Sequence, residues 1–134
     1  MGLYDKLTGK GSMTNDTKFI DEFLSDGEHI IASFKFVRDS IVFSNKGIYF
    51  CDVQGIGKKV EVKFFPSKNV KSVTFETAGT LDLDVDIKIG IDGNTQIGAN
   101  GIPVSAPISF KVPRSQSNEA KEVVKIIKNT YLCN

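Results

Sequence analysis

LDLDVDIKIGI, residues 81–91, alternates without interruption: Leu81, Leu83, Val85, Ile87, Ile89 and Ile91 fall on one side, Asp82, Asp84, Asp86 and Lys88 on the other. A period of two belongs to an extended chain, because successive side chains of a strand point to opposite faces of its sheet. One apolar and one charged face put this strand with one side on a core and the other in water, the usual situation in an antiparallel sheet.

The same period, with β-branched and aromatic enrichment, runs outward from here to cover residues 28–113. It predicts seven strands, over 28–37, 40–44, 48–53, 59–65, 70–76, 81–91 and 108–112. Most separators are short and turn-like: Arg38-Asp39, Asn45-Lys46-Gly47, residues 54–58 with two glycines, and residues 66–69. Such spacers join antiparallel neighbours in a meander. Residues 92–106 read differently. Asp92-Gly93-Asn94 starts a turn, and Gly98, Gly101, Pro103 and Pro107 argue for a long irregular excursion.

The period changes to that of a helix at both ends. Phe19, Ile20, Phe23 and Leu24 share one helical face, with Asn15 or Asp16 as cap and Gly27 as stop. Ala120, Val123, Val124, Ile127 and Tyr131 share another, predicting an amphipathic helix over 117–132. Ser115 to Asn118 offer capping oxygens, Glu119 suits the first turn, and Lys125 and Lys128 lie toward the negative end of the dipole. One apolar helix face of this size suits the open end of a barrel of about seven strands. The expected class is mainly β with flanking helices, one domain over 1–134: leader and helix 1–26, barrel 28–113, terminal helix 117–132.

Composition narrows the function. With 134 residues, 17 Lys plus Arg against 16 Asp plus Glu and a formal charge of +1, no global field draws the chain to nucleic acid or to an anionic membrane. No nucleic-acid partner is expected, and membrane contact is the less favoured reading. Cys51 and Cys133 lack the spacing of a disulfide framework or a zinc site, which fits a reducing compartment. No signal-peptide core or long apolar span is legible, so a cytoplasmic location is expected.

Three segments, VRDSIVFSNKGIYFCDVQG (37–55), GKKVEVKFFP (57–66) and VTFETAGTLDLDVDIKI (73–89), resemble the bacterial pleckstrin-homology (PH) domains, formerly a bacterial family of unknown function. The resemblance implies a PH-like barrel of two near-orthogonal antiparallel sheets capped by a C-terminal helix, with no established catalytic role and a tendency to form homo-oligomeric rings. The chain departs from the family at Gly47, where an arginine is usual, and at Ser67, where a tyrosine is common.

Candidate sites follow from residue chemistry. Lys35 and Arg38 flank the first hairpin, and Lys46, Lys58 and Lys59 lie in later turns. Arg38 as a bidentate donor with lysines as point charges would make a small anion site, against the plainer reading of solvated loop charge. Asp82, Asp84 and Asp86 match the start of a calcium loop. Ile87 stands in place of the required glycine, however, and a strand spreads the three carboxylates over about 13 Å, so no metal is expected. His29 is the only imidazole, so no site that needs two histidines can be assembled, and catalysis through Cys51 would require His29 to meet it in space, against the plainer reading of an inert, partly buried thiol; neither catalytic residues nor a cofactor are expected. Gly55-Ile56-Gly57-Lys58-Lys59 opens no helix and reads as a turn rather than a phosphate loop. Of the adjacent pair Phe64 and Phe65, alternation sends one outward, to a subunit or partner contact or under the N-terminal helix. The leading expectation is a non-catalytic interaction or assembly module that associates with itself, or with an unidentified protein. The alternative is a binding module for an anionic lipid head group, small anion or peptide at the first-hairpin end.

Overall fold

The computed structural model describes residues 20–36, 39–54, 59–76 and 84–133. Two compact units divide the chain, Met1–Ser67 and Lys68–Asn134.

In the first unit the alternating runs form a four-stranded meander: β1 (Ile30–Phe36), β2 (Asp39–Ser44), β3 (Gly47–Gln54) and β4 (Lys59–Pro66), all antiparallel and in that spatial order. Register puts Phe34 opposite Ile41, Ala32 and Ile48 opposite Phe43, and Phe65 opposite Ile48. All of these side chains are buried. The other face is apolar too, for Val42, Tyr49 and Cys51 pack in a cluster with Ile20, and Leu24 and Ile30 lie against it. A bulge between Ile30 and Ala32 admits one extra residue at the start of β1.

The second unit carries β5 (Val70–Glu76), β6 (Val85–Ile91) and β9 (Ile108–Val112) in one antiparallel sheet, with β6 central. Ile87, Ile89 and Ile91 are buried as the alternation requires. Their charged neighbours form a wet ladder on the opposite face, Lys88 to Glu76 and Lys111 to Asp86, each 3.2 Å. Asp82 lies outside the described residues and Asp84 is exposed. The helix α1 (Ser117–Ile127) packs on β6, and a π-helical turn, Lys128–Leu132, packs on β5.

Four local expectations need correction. Residues 92–106 are not irregular: Thr95–Ile97 (β7) and Pro103–Ser105 (β8) pair as an antiparallel hairpin. The glycines sit in its turn, where Gly101 has φ +78°, the Gly98 N–H bonds to the Ile102 carbonyl at 2.9 Å, and Asn100 Oδ1 accepts from Ile102. Pro103 is tolerated because the pair has two edges and no centre. At the N-terminal end, helical structure ends at Asp21, so Phe23 falls on a turn and is 73% exposed rather than buried with Ile20. Asn15, Asp16 and Phe19 lie outside the described residues. The buried face of α1 includes Ile126, while Val124 is only partly covered. Finally, Ser115 to Asn118 do not cap it: a 3-10 turn, Arg114–Gln116, leads directly into the helix with no side-chain cap bond.

Candidate functional site

The first unit contains a groove of about 610 Å³. Ile20, Phe23, Tyr49, Val62, Phe64 and Pro66 supply its apolar walls, and Ser25, Glu28 and Lys46 its polar groups. Two sequence features make it. The outer face of edge strand β4 carries Val60, Val62 and Phe64, two residues apart and each roughly 40% exposed at 38%, 39% and 42%. Opposite Phe64 in register stands Tyr49, with ring centroids 4.7 Å apart.

The second feature is the segment before β1. Ser25 and Glu28 close a turn on themselves: the Glu28 N–H bonds to the Ser25 carbonyl, and Glu28 Oε1 accepts from the Ser25 N–H and hydroxyl at 3.0 and 3.2 Å. Gly27 supplies the positive φ that this turn needs, +78°. The other carboxylate oxygen accepts from Ser44 Oγ at 2.6 Å and from the Tyr49 hydroxyl at 2.9 Å. Ser44 Oγ in turn accepts from the N–H groups of Lys46 and Gly47. Asn45 fastens the two turns together, accepting from the His29 N–H and donating to the Gly27 carbonyl, while Lys46 Nζ donates to the Asp26 carbonyl. Glu28 is thus the node joining the 25–29 turn to the β2–β3 turn.

The electrostatics follow from this wiring. Burial is the largest influence on the Glu28 carboxyl and pushes it up, but bonds from Ser44, Ser25 and Tyr49 together leave it below its ordinary value. Tyr49 is pushed up to about 12, first by burial, then by its bond to Glu28 and the charge there. Both groups are held in their neutral-pH states as structural partners.

Gly47 has a steric reason. A Cβ there would run into the Phe65 carbonyl oxygen and come within 2.8 Å of the Phe64 ring. Phe64 lies over Gly47, so this glycine and the groove wall are one feature.

Of the residues singled out from sequence, Phe64 faces outward into the groove and Phe65 is buried on the opposite face. Lys35 is exposed on β1 and Lys59 begins β4, while Arg38 and Lys58 lie outside the described residues. Lys35 and Lys59 belong to the same end of the sheet and Lys46 to the other. Three strand spacings separate β1 from β4, about 14 Å. One rung at the Lys35 end aligns Asp39, Asp52 and Glu61. That end therefore mixes both signs of charge. Among the described residues no group of three His, Cys, Asp or Glu side chains is arranged to hold a metal, and no helix is long and apolar enough to cross a membrane.

Comparison with known proteins agrees with this architecture. The bacterial PH domain family model matches residues 2–129, and the chain belongs to that family. It is 42% identical over 97 residues to the uncharacterized protein YjqA of Bacillus subtilis, covering 69% of this chain and 78% of that one. Among solved structures, a pleckstrin homology domain from Shewanella amazonensis matches with a TM-score of 0.70 at 28% identity, over 97% of this chain and 98% of that one. A DUF1696 family protein with a PH domain from Shewanella loihica matches with a TM-score of 0.66 at 27% identity, over 86% and 89%. The mainly β class, with antiparallel sheets and a C-terminal helix, is that of PH domains.

Proposed function

We infer that this chain is a non-catalytic PH-fold assembly module whose partner is a second copy of itself, acting in the cytoplasm as one domain. The observation that carries the reading is the stripe Val60, Val62 and Phe64 on β4. Apolar side chains exposed together along one face of a strand mark a contact surface. Here that face is apolar and borders a groove. Absence of catalysis is supported by the wiring of Glu28 and Tyr49, whose polar atoms are engaged in holding two turns together.

The test is light-scattering mass after size exclusion for the unmodified chain and Phe64→Asp. Phe64 is partly exposed, so the variant is expected to fold and to run at a lower mass. An unchanged mass would move the interface off β4. The anion-binding alternative has weaker support, since the Lys35 end carries the rung Asp39, Asp52, Glu61. Phosphate binding lost in a Lys35→Ala, Arg38→Ala variant of unchanged mass would restore it.

A further inference from the structure

The β7–β8 hairpin holds two asparagines in opposite settings. Asn94 is 5% exposed and staples the base: its amide donates to the carbonyls of Ala106 and Pro107, and its own carbonyl accepts from the Ala106 N–H. The residue after it, Thr95, is β-branched and crowds the main chain beside it. Asn100 stands at the exposed tip and is followed by Gly101, the sole Asn-Gly pair in the 134 residues.

The side-chain amide of an asparagine is a latent electrophile toward the next main-chain nitrogen, because the attack is intramolecular and closes a five-membered ring. The tip favours this closure at Asn100. Gly101 has no Cβ to hinder the ring, and the space beside it is open to water. The Ile102 N–H donates to Asn100 Oδ1 at 3.2 Å, an Asx turn that folds the side chain back along the Gly101 peptide. That donor is aimed at the oxygen on which negative charge develops when Cγ is attacked, the role of an N–H in an oxyanion hole. The opposing contact is the bond from the Gly101 N–H to the Gly98 carbonyl, 2.9 Å, which must open before the nitrogen loses its proton. Such opening costs little in a hairpin of three-residue strands with every strand residue exposed. The Ile102 bond uses other atoms and survives it.

We propose that Asn100 is a self-modification site, converted by reaction with Gly101 to aspartate and isoaspartate. The Gly101 nitrogen bonds to Asn100 Cγ, the Cγ–Nδ2 bond breaks, and Nδ2 leaves as ammonia with the proton the Gly101 nitrogen gave up. Water then opens the cyclic imide: cleavage of the new Cγ–N bond gives aspartate, and cleavage of the original peptide C–N bond gives isoaspartate. Nothing is oxidised or reduced. Either product plants a negative charge in a stretch that has no Asp, Glu, Lys or Arg between Asp92 and Lys111, and takes the formal charge of the chain from +1 to neutral. Isoaspartate also adds a main-chain atom to the turn that the Gly98–Ile102 bond closes. The proposal does not depend on self-association, since its readout is covalent.

The full chain is aged in mildly alkaline buffer and digested with trypsin, and the 89–111 peptide, bounded by Lys88 and Lys111, is sequenced by tandem mass spectrometry. The expected result is the amide-to-acid mass change at Asn100, divided between aspartate and isoaspartate, with Asn94 in the same peptide unchanged. The intact chain should gain a form one charge more acidic in isoelectric focusing. Isomerisation at Asp92, which also precedes a glycine, alters neither mass nor charge and is not counted. The Asn100→Gln chain, whose longer side chain would have to close a six-membered ring, should lose the acidic form. An Asn100 that stays intact in the folded chain while it converts in urea overturns the proposal, because the bonds of the tip then protect it. An acidic form that persists in Asn100→Gln, or conversion at Asn94 equal to that at Asn100, overturns it as well.

Discussion

Strand β2 and the β7–β8 hairpin are both antiparallel structure, yet they are held in opposite ways. From Ser40 to Ser44 every residue of β2 is buried, whichever face it points to, while every residue of β7 and β8 is exposed. The first is specified by packing on both faces; the second rests on a glycine turn, a few backbone bonds and the Asn94 staple. An isolated two-stranded hairpin gains little by itself. Apolar side chains in β2 therefore hold the fold, and those in the hairpin are available for contact with something else.

The largest effect that could break this contrast is at the centre of β2. Phe43→Ala, at a residue with no exposed surface, should cost about 3–5 kcal/mol in chemical denaturation, the usual loss for a buried phenylalanine. A loss near that of a surface substitution would mean that this face does not hold the sheet. Next comes the Glu28–Tyr49 node. Tyr49 ionises near 12 in the folded chain and near 10 when unfolded, so its contribution is complete below pH 10 and is lost as pH rises toward 12, by up to about 3 kcal/mol. Glu28→Gln should lower the tyrosinate absorbance transition of Tyr49 part of the way, because burial, the larger cause of the shift, remains. Glu28 itself lies below its ordinary value, so its stabilisation is present above about pH 4.5 and disappears as pH falls through its folded value. A Tyr49 titration unmoved by Glu28→Gln would contradict the wiring.

Gly47→Ala should destabilise by about 1–3 kcal/mol, because the added methyl must displace the Phe65 carbonyl or the Phe64 ring. The smallest effect sharpens the contrast most. Ile97→Ser, measured in the Phe64→Asp background so that assembly does not contribute, should change stability by less than about 0.5 kcal/mol. A loss comparable to that of Phe43→Ala would show that the hairpin belongs to the core.

What the sequence made legible follows the same division. All seven strands of the four-stranded and three-stranded sheets announced themselves through a period of two, and the Asp86 and Lys88 face was readable as a neutralised wet ladder. The hairpin was not legible, because three-residue strands with no buried face leave no alternation, and Gly98, Gly101 and Pro103 look like breakers until the turn and the edge position are known. Phe23 misled for a related reason: four apolar residues at helical spacing require the helix to continue, and it stops at Asp21. Phe64 was legible as one of a pair, though not which of the two faced outward. The groove was not, since its residues run from 20 to 66 and only register brings Tyr49 beside Phe64. One signal was available: Ser25-x-x-Glu28 has the spacing at which a glutamate reaches back to a serine N–H, and that bond is present at 3.0 Å.

The central claim is that this PH-fold chain assembles with itself. Its most direct test is light-scattering mass after size exclusion on the unmodified chain over a wide range of concentration and salt. A stable multiple of 14.7 kDa is the expected result, little affected by salt because the surfaces proposed to meet are apolar. A mass of 14.7 kDa at every concentration would contradict the account.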